Sequence, residues 1–156
     1  MNHPYVRKLN NKNIMKRYIR TLEPLLTNNY KLKVYTANNN AFSQPNSGNS
    51  TNLRLIRKNN KAGLTLHRLN NGVLIAWGYT KPNNQRGKLG TKIRALAAFA
   101  ALKANMPLYQ YSIYGKNSGS YKIMKKLGAV NNTNRGKNHF KFVPGKHNLN
   151  ELRRHF

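Results

Sequence analysis

A glycine-containing turn at residues 85–91 has the composition of an anion-binding site. It reads Gln-Arg-Gly-Lys-Leu-Gly-Thr and leads directly into residues 91–104, the segment with the highest helix propensity in the chain. Backbone N–H groups of such a turn, with a helix N-terminus behind them, form a concave site for phosphate or pyrophosphate. The alternative is a loop that needs glycine only for a tight backbone turn. Under the first interpretation, the ligand-binding residues are Gln85, Arg86, Gly87, Lys88, Leu89, Gly90 and Thr91.

A second motif begins at Asn117 and ends at Gly128. Residues 118–127 are predicted to form a helix, and Gly128 suits the left-handed position that commonly follows a helix. In order and spacing, the two motifs together resemble the GNAT superfamily of N-acetyltransferases. In that family a Q/R-x-x-G-x-G/A loop grips the pyrophosphate of acetyl-CoA, and a later N-x-x-A-x-x-L-Y-x-K-x-G-F helix lines the cofactor site.

The resemblance to the GNAT superfamily covers residues 53–144. Gln85 and Gly90 match the ends of the family's loop, and the second motif is matched by Asn117, Ile123, Lys126, Leu127 and Gly128. The resemblance implies an α+β sandwich with a mixed, mostly antiparallel sheet flanked by helices. It also implies acetyl-CoA as a cofactor, with Asn117 among its contacts. The KKLGAV end of the second motif looks, more loosely, like GNAT-like internal virion proteins of phages.

Three departures from the family pattern concern the chemistry. Lys88 replaces the middle glycine of the loop and adds a side chain where backbone should approach pyrophosphate. Met124 stands where the family places the tyrosine that protonates the departing thiolate, and a thioether cannot donate a proton. The predicted fourth strand reads Ala-Trp-Gly-Tyr at residues 76–79, without the glutamate that many members use as a general base. The sequence therefore leaves open whether the chain is an enzyme and favours a degenerate acetyltransferase site.

Substitute catalytic groups are available in the sequence. Tyr121, one helical turn before Met124, is a candidate acid, and Tyr79 or His67 is a candidate for assisting deprotonation. Residues of these types more often have packing or surface roles, which the sequence favours for each of them. Direct attack of a neutral amine on a bound thioester can also proceed by proximity alone.

The elements that must position these motifs follow from hydrophobic periodicity and turn residues. A helix capped by Asn13 is predicted through residues 14–22, with Pro24 interrupting it. Strands are predicted at 30–35, 53–57, 63–69, 73–79, 108–113 and 139–143, a hairpin at Asn70-Asn71-Gly72 and an irregular loop at 43–52. This organisation predicts one domain, 13–144, between a basic N-terminal arm, 1–12, and a basic C-terminal tail, 145–156, both ordering only on a partner.

The charge balance indicates a polyanionic partner. The chain carries 29 Lys and Arg against two acidic residues, for a net charge of +27. Nucleic acid, DNA or RNA, would supply the missing negative charge, and binding would release its condensed counterions. The basic clusters are spread along the chain, which favours contact with the phosphate backbone over base readout. They comprise Arg7, Lys8, Lys12, Lys16, Arg17, Arg20, Arg54, Arg57, Lys58, Lys61, Arg135, Lys137, Lys141, Arg153 and Arg154.

Two tyrosines offer a further mode of contact. Tyr109 and Tyr111 alternate along one predicted strand and therefore share a face. That face either stacks on bases of single-stranded nucleic acid or packs against a helix, and the sequence favours packing.

Other classes of site and location are disfavoured by composition. The chain has no cysteine and its five histidines are scattered, so no metal site is expected. No apolar run reaches membrane-spanning length and no secretory signal precedes the domain, which predicts an intracellular location, namely host cytoplasm, virion interior or organelle matrix. The leading hypothesis is a GNAT-like structural or binding module for nucleic acid or a nucleoprotein assembly. The alternative is an active acyl-CoA-dependent N-acyltransferase that modifies nucleic acid or a protein bound to it.

Overall fold

The computed structural model describes residues 11–38, 49–82, 88–114 and 118–156 of the 156-residue chain. Within these ranges the fold is mixed α/β, with an open seven-stranded sheet and four α-helices. The helices are α1 (Asn11–Leu22), α2 (Leu89–Lys103), α3 (Gly119–Lys126) and α4 (Leu149–Arg153). The strands are β1 (Tyr30–Asn38), β2 (Asn49–Arg57), β3 (Ala62–Arg68), β4 (Val73–Thr80), β5 (Leu108–Tyr114), β6 (Val130–Asn134) and β7 (Lys137–Phe142).

The sheet has the strand order β1-β2-β3-β4-β5-β7-β6 and is antiparallel except between β4 and β5. Those two strands are parallel, and their described pairing is confined to Val73 with Leu108 and Leu74 with Tyr109. Beyond Leu74, no described residue of β4 pairs with β5, although β4 continues to Thr80. The sheet is therefore open between these strands, where a ligand can approach their backbone.

The described helices pack against one face of the sheet, which we call the helix face. Tyr18 of α1 is fully buried and its hydroxyl donates a hydrogen bond to the Ala97 carbonyl of α2 at 2.9 Å. Alanines make the buried side of α2 thin enough to lie close to the sheet and to the other helices. Tyr121 of α3 packs edge-on against Phe140 of β7. Burial of the Tyr18 hydroxyl raises its pKa.

Several sequence predictions are confirmed. The fold is mixed, with a mostly antiparallel sheet and helices, and the hairpin at residues 70–72 joins β3 to β4. The backbone N–H of Leu69 donates to the Gly72 carbonyl at 2.9 Å, and a Cβ at Gly72 would collide with the carbonyl of Pro107. The helix of the second motif is followed by Gly128 at φ +84°, as predicted.

Other elements differ from their predictions. Helix α1 already includes Asn11, so Asn13 is not its N-cap. Strand β2 begins at Asn49, within the predicted loop 43–52, whose residues 43–48 lie outside the described ranges. Strand β6 was not predicted, because Val130–Asn134 is exposed throughout and carries no apolar alternation.

The C-terminal segment 145–156 also differs from the predicted tail, because it packs on the domain. The Asn148 side chain accepts a hydrogen bond from the Asn150 backbone N–H at 2.9 Å and so caps α4. Leu152 is 2% exposed, and the Phe156 ring lies 5.3 Å from that of Phe99. The sequence signal was a single asparagine cap before a short helix, with few apolar residues to suggest burial. Residues 1–10 of the predicted N-terminal arm lie outside the described ranges.

Candidate functional site

A cleft of about 550 Å³ lies beside the unpaired part of β4, at the N-terminal ends of α2 and α3. It is lined by Gly78, Tyr79, Thr80, Lys88, Gly90, Thr91, Arg94, Gly119, Ser120, Lys122 and Ile123. These residues come from β4, from Lys88 before α2, from α2 itself and from α3. The cleft therefore joins residues from both motifs singled out in the sequence.

The N-terminal end of α2 reaches the cleft through a residue in a left-handed conformation, Lys88, and a closely packed glycine, Gly90. Lys88 precedes the helix at φ +60°, a left-handed conformation that favours glycine. Gly90 is buried, and a Cβ there would lie 2.9 Å from both Thr80 Oγ1 and Ile123 Cδ1. Glycine at position 90 thus allows α2 to approach β4 and α3 closely. Of the predicted ligand-binding residues, Lys88, Gly90 and Thr91 line the cleft, and Leu89 is buried in the core beside them.

The remaining predicted ligand-binding residues, Gln85, Arg86, Gly87 and Asn117, lie outside the described ranges.

Arg94 forms part of the cleft wall and was missed by sequence reasoning. It is 4% exposed, and its guanidinium donates to Ser120 Oγ at 2.9 Å and Gln110 Oε1 at 3.3 Å. Its Nη1 also lies 3.5 Å from the Gly90 carbonyl oxygen. Burial lowers the pKa of Arg94 to about 10, so the group remains charged at neutral pH. A cation among the alanines and leucines of α2 was the signal that could have identified it.

All the described charged side chains that line the cleft are cationic. Lys88, Arg94 and Lys122 line it, and none of its described lining residues is acidic. The N-terminal ends of α2 and α3 add partial positive charge. Hydroxyl groups of Thr80, Thr91 and Ser120 supply further hydrogen-bonding capacity. The arrangement can hold an anionic group such as phosphate or carboxylate.

The candidate acids and bases do not point into the cleft. The Tyr121 side chain is 9% exposed, packs 5.5 Å from the Phe140 ring and is absent from the cleft lining. Tyr79 contributes to the lining, but its ring leans over Gly63 of β3, where an added Cβ would lie 2.6 Å from Tyr79 Cε1. Met124 is fully buried in the core.

His67 lies on β3, and burial lowers its pKa. It too is absent from the cleft lining.

The other side of the sheet, which we call the open face, carries a different set of side chains. Register pairing places Lys33, Arg54, Thr65 and Trp77 in one row across β1, β2, β3 and β4. Side chains in such a row project to the same side. Gly78, the neighbour of Trp77, faces the other way, since a Cβ there would meet Arg94 Nη2 at 2.9 Å. Trp77 therefore points away from the cleft and from the described helices.

Aromatic side chains continue along the open face. Trp77 is 58% exposed, and its ring lies 5.2 Å from that of Tyr79. On β5, the rings of Tyr109 and Tyr111 lie 5.3 Å apart at an interplanar angle of 48°, and Tyr111 is 44% exposed. The ring of His139 on β7 lies 5.3 Å from Tyr111. The shared face of Tyr109 and Tyr111 was predicted, and none of the described helices packs on it.

The basic residues predicted to contact nucleic acid are divided among several surfaces. Arg54 lies on the open face, directly opposite Lys33, with Lys31 on the same side of β1. Lys31 and Lys33 were not among the predicted contacts, although alternation in residues 30–35 gave the signal. Lys16 and Arg20 are exposed on α1, Lys58 and Lys61 flank the turn after β2, and Arg135 and Lys137 lie at the β6–β7 turn.

Four of the predicted contacts have partners within the chain. Arg17 Nη2 donates to the Ala104 carbonyl at 2.6 Å, at the C-terminus of α2. Arg57 lies over the Tyr30 ring and Arg153 over the Phe99 ring, at 5.1 and 5.5 Å from the ring centroids. Arg154 forms an exposed ion pair with Glu151 at 3.3 Å. Arg7 and Lys8 lie outside the described ranges, and of Lys12 only the backbone, within α1, is described.

The described parts of the chain contain no group of three or more His, Asp or Glu side chains that could hold a metal ion. No helix within them is long and apolar enough to cross a membrane. Comparison with models of known protein families finds no match, and comparison with curated proteins finds no significant similarity.

Proposed function

We propose that the protein is a nucleic-acid-binding module. The observation that carries the proposal is the pairing of Lys33 with Arg54 across β1 and β2, with Lys31 beside them on the open face. Like charges directly opposite each other in a sheet are destabilising. The chain has only two acidic residues to offset the repulsion between Lys33 and Arg54. A phosphate backbone supplies the counter-charge and gains counterion-release free energy on binding.

The proposed binding is tested by the salt dependence of affinity for nucleic acid. Affinity should fall steeply with salt, and Lys33→Ala or Arg54→Ala should each lower the log–log slope by about 1. Lys103→Ala is the matched control, because Lys103 is exposed on the far end of α2, on the helix side of the sheet. A salt-independent affinity would overturn the proposal. Equal losses from Lys103→Ala would mean that net charge alone governs binding.

A second candidate function is acyl transfer from acyl-CoA, as the resemblance to the GNAT superfamily implies. Its support is that Lys88, Gly90 and Thr91 of the loop motif meet Ser120 and Ile123 of the second motif in one cleft. A cationic cleft suits a pyrophosphate-bearing cofactor. Without an aligned acid or base, transfer would depend on holding a neutral amine against the thioester. The acceptor would be nucleic acid or a protein bound to it, which suits the net charge of +27.

The second candidate is tested by calorimetric titration of acetyl-CoA into protein freed of nucleic acid. Saturable binding that polyphosphate does not reproduce supports a cofactor site. Binding no tighter than that of polyphosphate favours a degenerate site kept for its shape and charge. The binding module would then work in an intracellular setting rich in nucleic acid, such as a virion interior, a ribonucleoprotein or an organelle matrix.

A further inference from the structure

The open face combines exposed aromatic rings with cations in one surface. Trp77, 58% exposed, shares a cross-strand row with Lys33 and Arg54. A second row contains Tyr109, Lys141 and Val130 on β5, β7 and β6. Since neighbouring strands lie about 4.8 Å apart, the first row places Trp77 about 14 Å from Lys33. The first row thus carries cations at one end and a ring at the other, over a distance comparable to a few nucleotides.

The aromatic rings are held in place by contacts within the sheet. Tyr109 receives a hydrogen bond on its hydroxyl from Asn71 Nδ2 at 3.0 Å, and its ring contacts Tyr111. Tyr111 in turn contacts His139, and Trp77 contacts Tyr79. Such contacts fix the ring planes before a ligand arrives, which lowers the entropy lost on binding. Tyr111 nevertheless keeps 44% of its surface exposed.

This combination discriminates between forms of nucleic acid. Stacking on an aromatic ring requires a base with a free face, which a single strand offers and a duplex hides. The major groove of a duplex admits a helix or a two-stranded ribbon, so a face built from many strands does not enter it. A duplex would reach the cations of the open face but not place its bases on the rings.

We infer that the open face binds single-stranded nucleic acid, with bases stacked on Trp77 and Tyr111 and phosphates held by Lys33, Arg54 and Lys141. This inference rests on the proposed nucleic-acid binding and adds the form of the ligand and the surface that takes it. Stacking of this kind tolerates any base sequence, because every base has an aromatic face.

The full chain offers a direct probe of this contact, because Trp77 is its single tryptophan. Its fluorescence should be quenched by oligothymidylate and by oligouridylate, which together compare DNA with RNA. An abasic oligomer of equal length carries the same phosphates without bases and should leave the emission unchanged. A duplex of equal length should bind more weakly than either single strand.

Variants separate stacking from charge. Trp77→Ala and Tyr111→Ala should each weaken oligothymidylate binding about tenfold, the usual cost of losing one stacked base, and leave binding of the abasic oligomer unchanged. Both side chains are exposed, so the fold should persist. Val34→Ala is the matched control, because Val34 is 53% exposed but projects to the helix face of β1, as its pairing with Leu53 shows.

The outcomes distinguish this inference from the proposal on which it rests. Equal affinity for oligothymidylate and the abasic oligomer, without quenching, would overturn stacking and leave charge-driven binding intact. Tighter binding of duplex than of single strand would also overturn it. If no oligomer binds at low salt, nucleic-acid binding itself fails.

Discussion

The cleft and the open face lie on opposite sides of β4, and both are cationic, but they hold their charge in different ways. In the cleft, the Arg94 guanidinium is 4% exposed and fixed by Ser120 and Gln110. On the open face, Lys33 and Arg54 are exposed and lie directly opposite each other. The first arrangement is a concave cleft with one buried, fixed cation in its wall. The second is flat and extends over several strands.

This difference has an energetic consequence. A buried guanidinium is expensive to desolvate, and its geometry is set in advance by hydrogen bonds. It can therefore discriminate between anions by shape. Exposed lysines are screened by salt and adapt to any row of phosphates. We therefore expect variants in the cleft to alter binding of small anionic ligands, and variants of the open face to alter binding of polymers.

Gly90→Asp should have the largest effect on the cleft. The added Cβ would lie 2.9 Å from Thr80 Oγ1 and Ile123 Cδ1, and its carboxylate would add negative charge near Arg94. We expect acetyl-CoA and polyphosphate to lose at least about tenfold in affinity for the cleft, since a charge-assisted contact is worth about 1.5–3 kcal/mol. Calorimetric titration measures the change.

Asn105→Asp is the control for Gly90→Asp. It adds the same charge at the other end of α2, where Asn105 is exposed at φ +59°, a conformation that aspartate tolerates. Unchanged small-anion affinity in Gly90→Asp would place any such site outside the cleft.

Arg94→Met should have the next largest effect. Removing the buried charge should weaken anion binding in the cleft by about tenfold, the value of one hydrogen bond to a charged group. Arg94→Lys keeps the charge but loses the planar fork that reaches Ser120 and Gln110, so it should recover only part of the affinity. Binding of oligothymidylate to the open face should stay the same in both variants. A parallel loss there would mean that the two surfaces are not independent.

The sequence predicted the fold better than the site. Alternating strands, the alanine-rich helix and the Asn-Gly hairpin carry local signals, and each appears with small errors at its ends. Arg94 was missed because its burial depends on Gln110, 16 residues away, and on Ser120, 26 residues away, which no local pattern encodes. The open face was missed because sequence shows that Tyr109 and Tyr111 share a side of β5 but not which side the helices occupy.

Lys88→Gly should stabilise the fold, although it removes one of the cations that line the cleft. Lys88 has φ +60°, a left-handed conformation that costs a residue with a side chain about 1 kcal/mol more than glycine. We expect the free energy of unfolding to rise by up to about 1 kcal/mol, less the greater entropy that glycine gains in the unfolded chain. Chemical denaturation measures this. Lys88→Asn should fall between the two, because asparagine tolerates this conformation; equal stability of all three would show that position 88 is unstrained.

Lys33→Glu should have the smallest effect on stability. It should stabilise the fold slightly and lower the affinity for nucleic acid. Glutamate at this position would face Arg54 across β1 and β2 and replace repulsion with attraction, a change worth about 0.2–1 kcal/mol of added stability. Lys33→Gln removes the repulsion without adding attraction and should give a smaller gain. Affinity for nucleic acid, measured by anisotropy at fixed salt, should be highest with Lys33, lower in Lys33→Gln and lowest in Lys33→Glu. The affinity for acetyl-CoA, measured by titration, should stay unchanged. A gain in stability with no loss of nucleic-acid affinity would mean that the Lys33–Arg54 repulsion is not maintained for a polyanion, and would separate the open face from the proposed function.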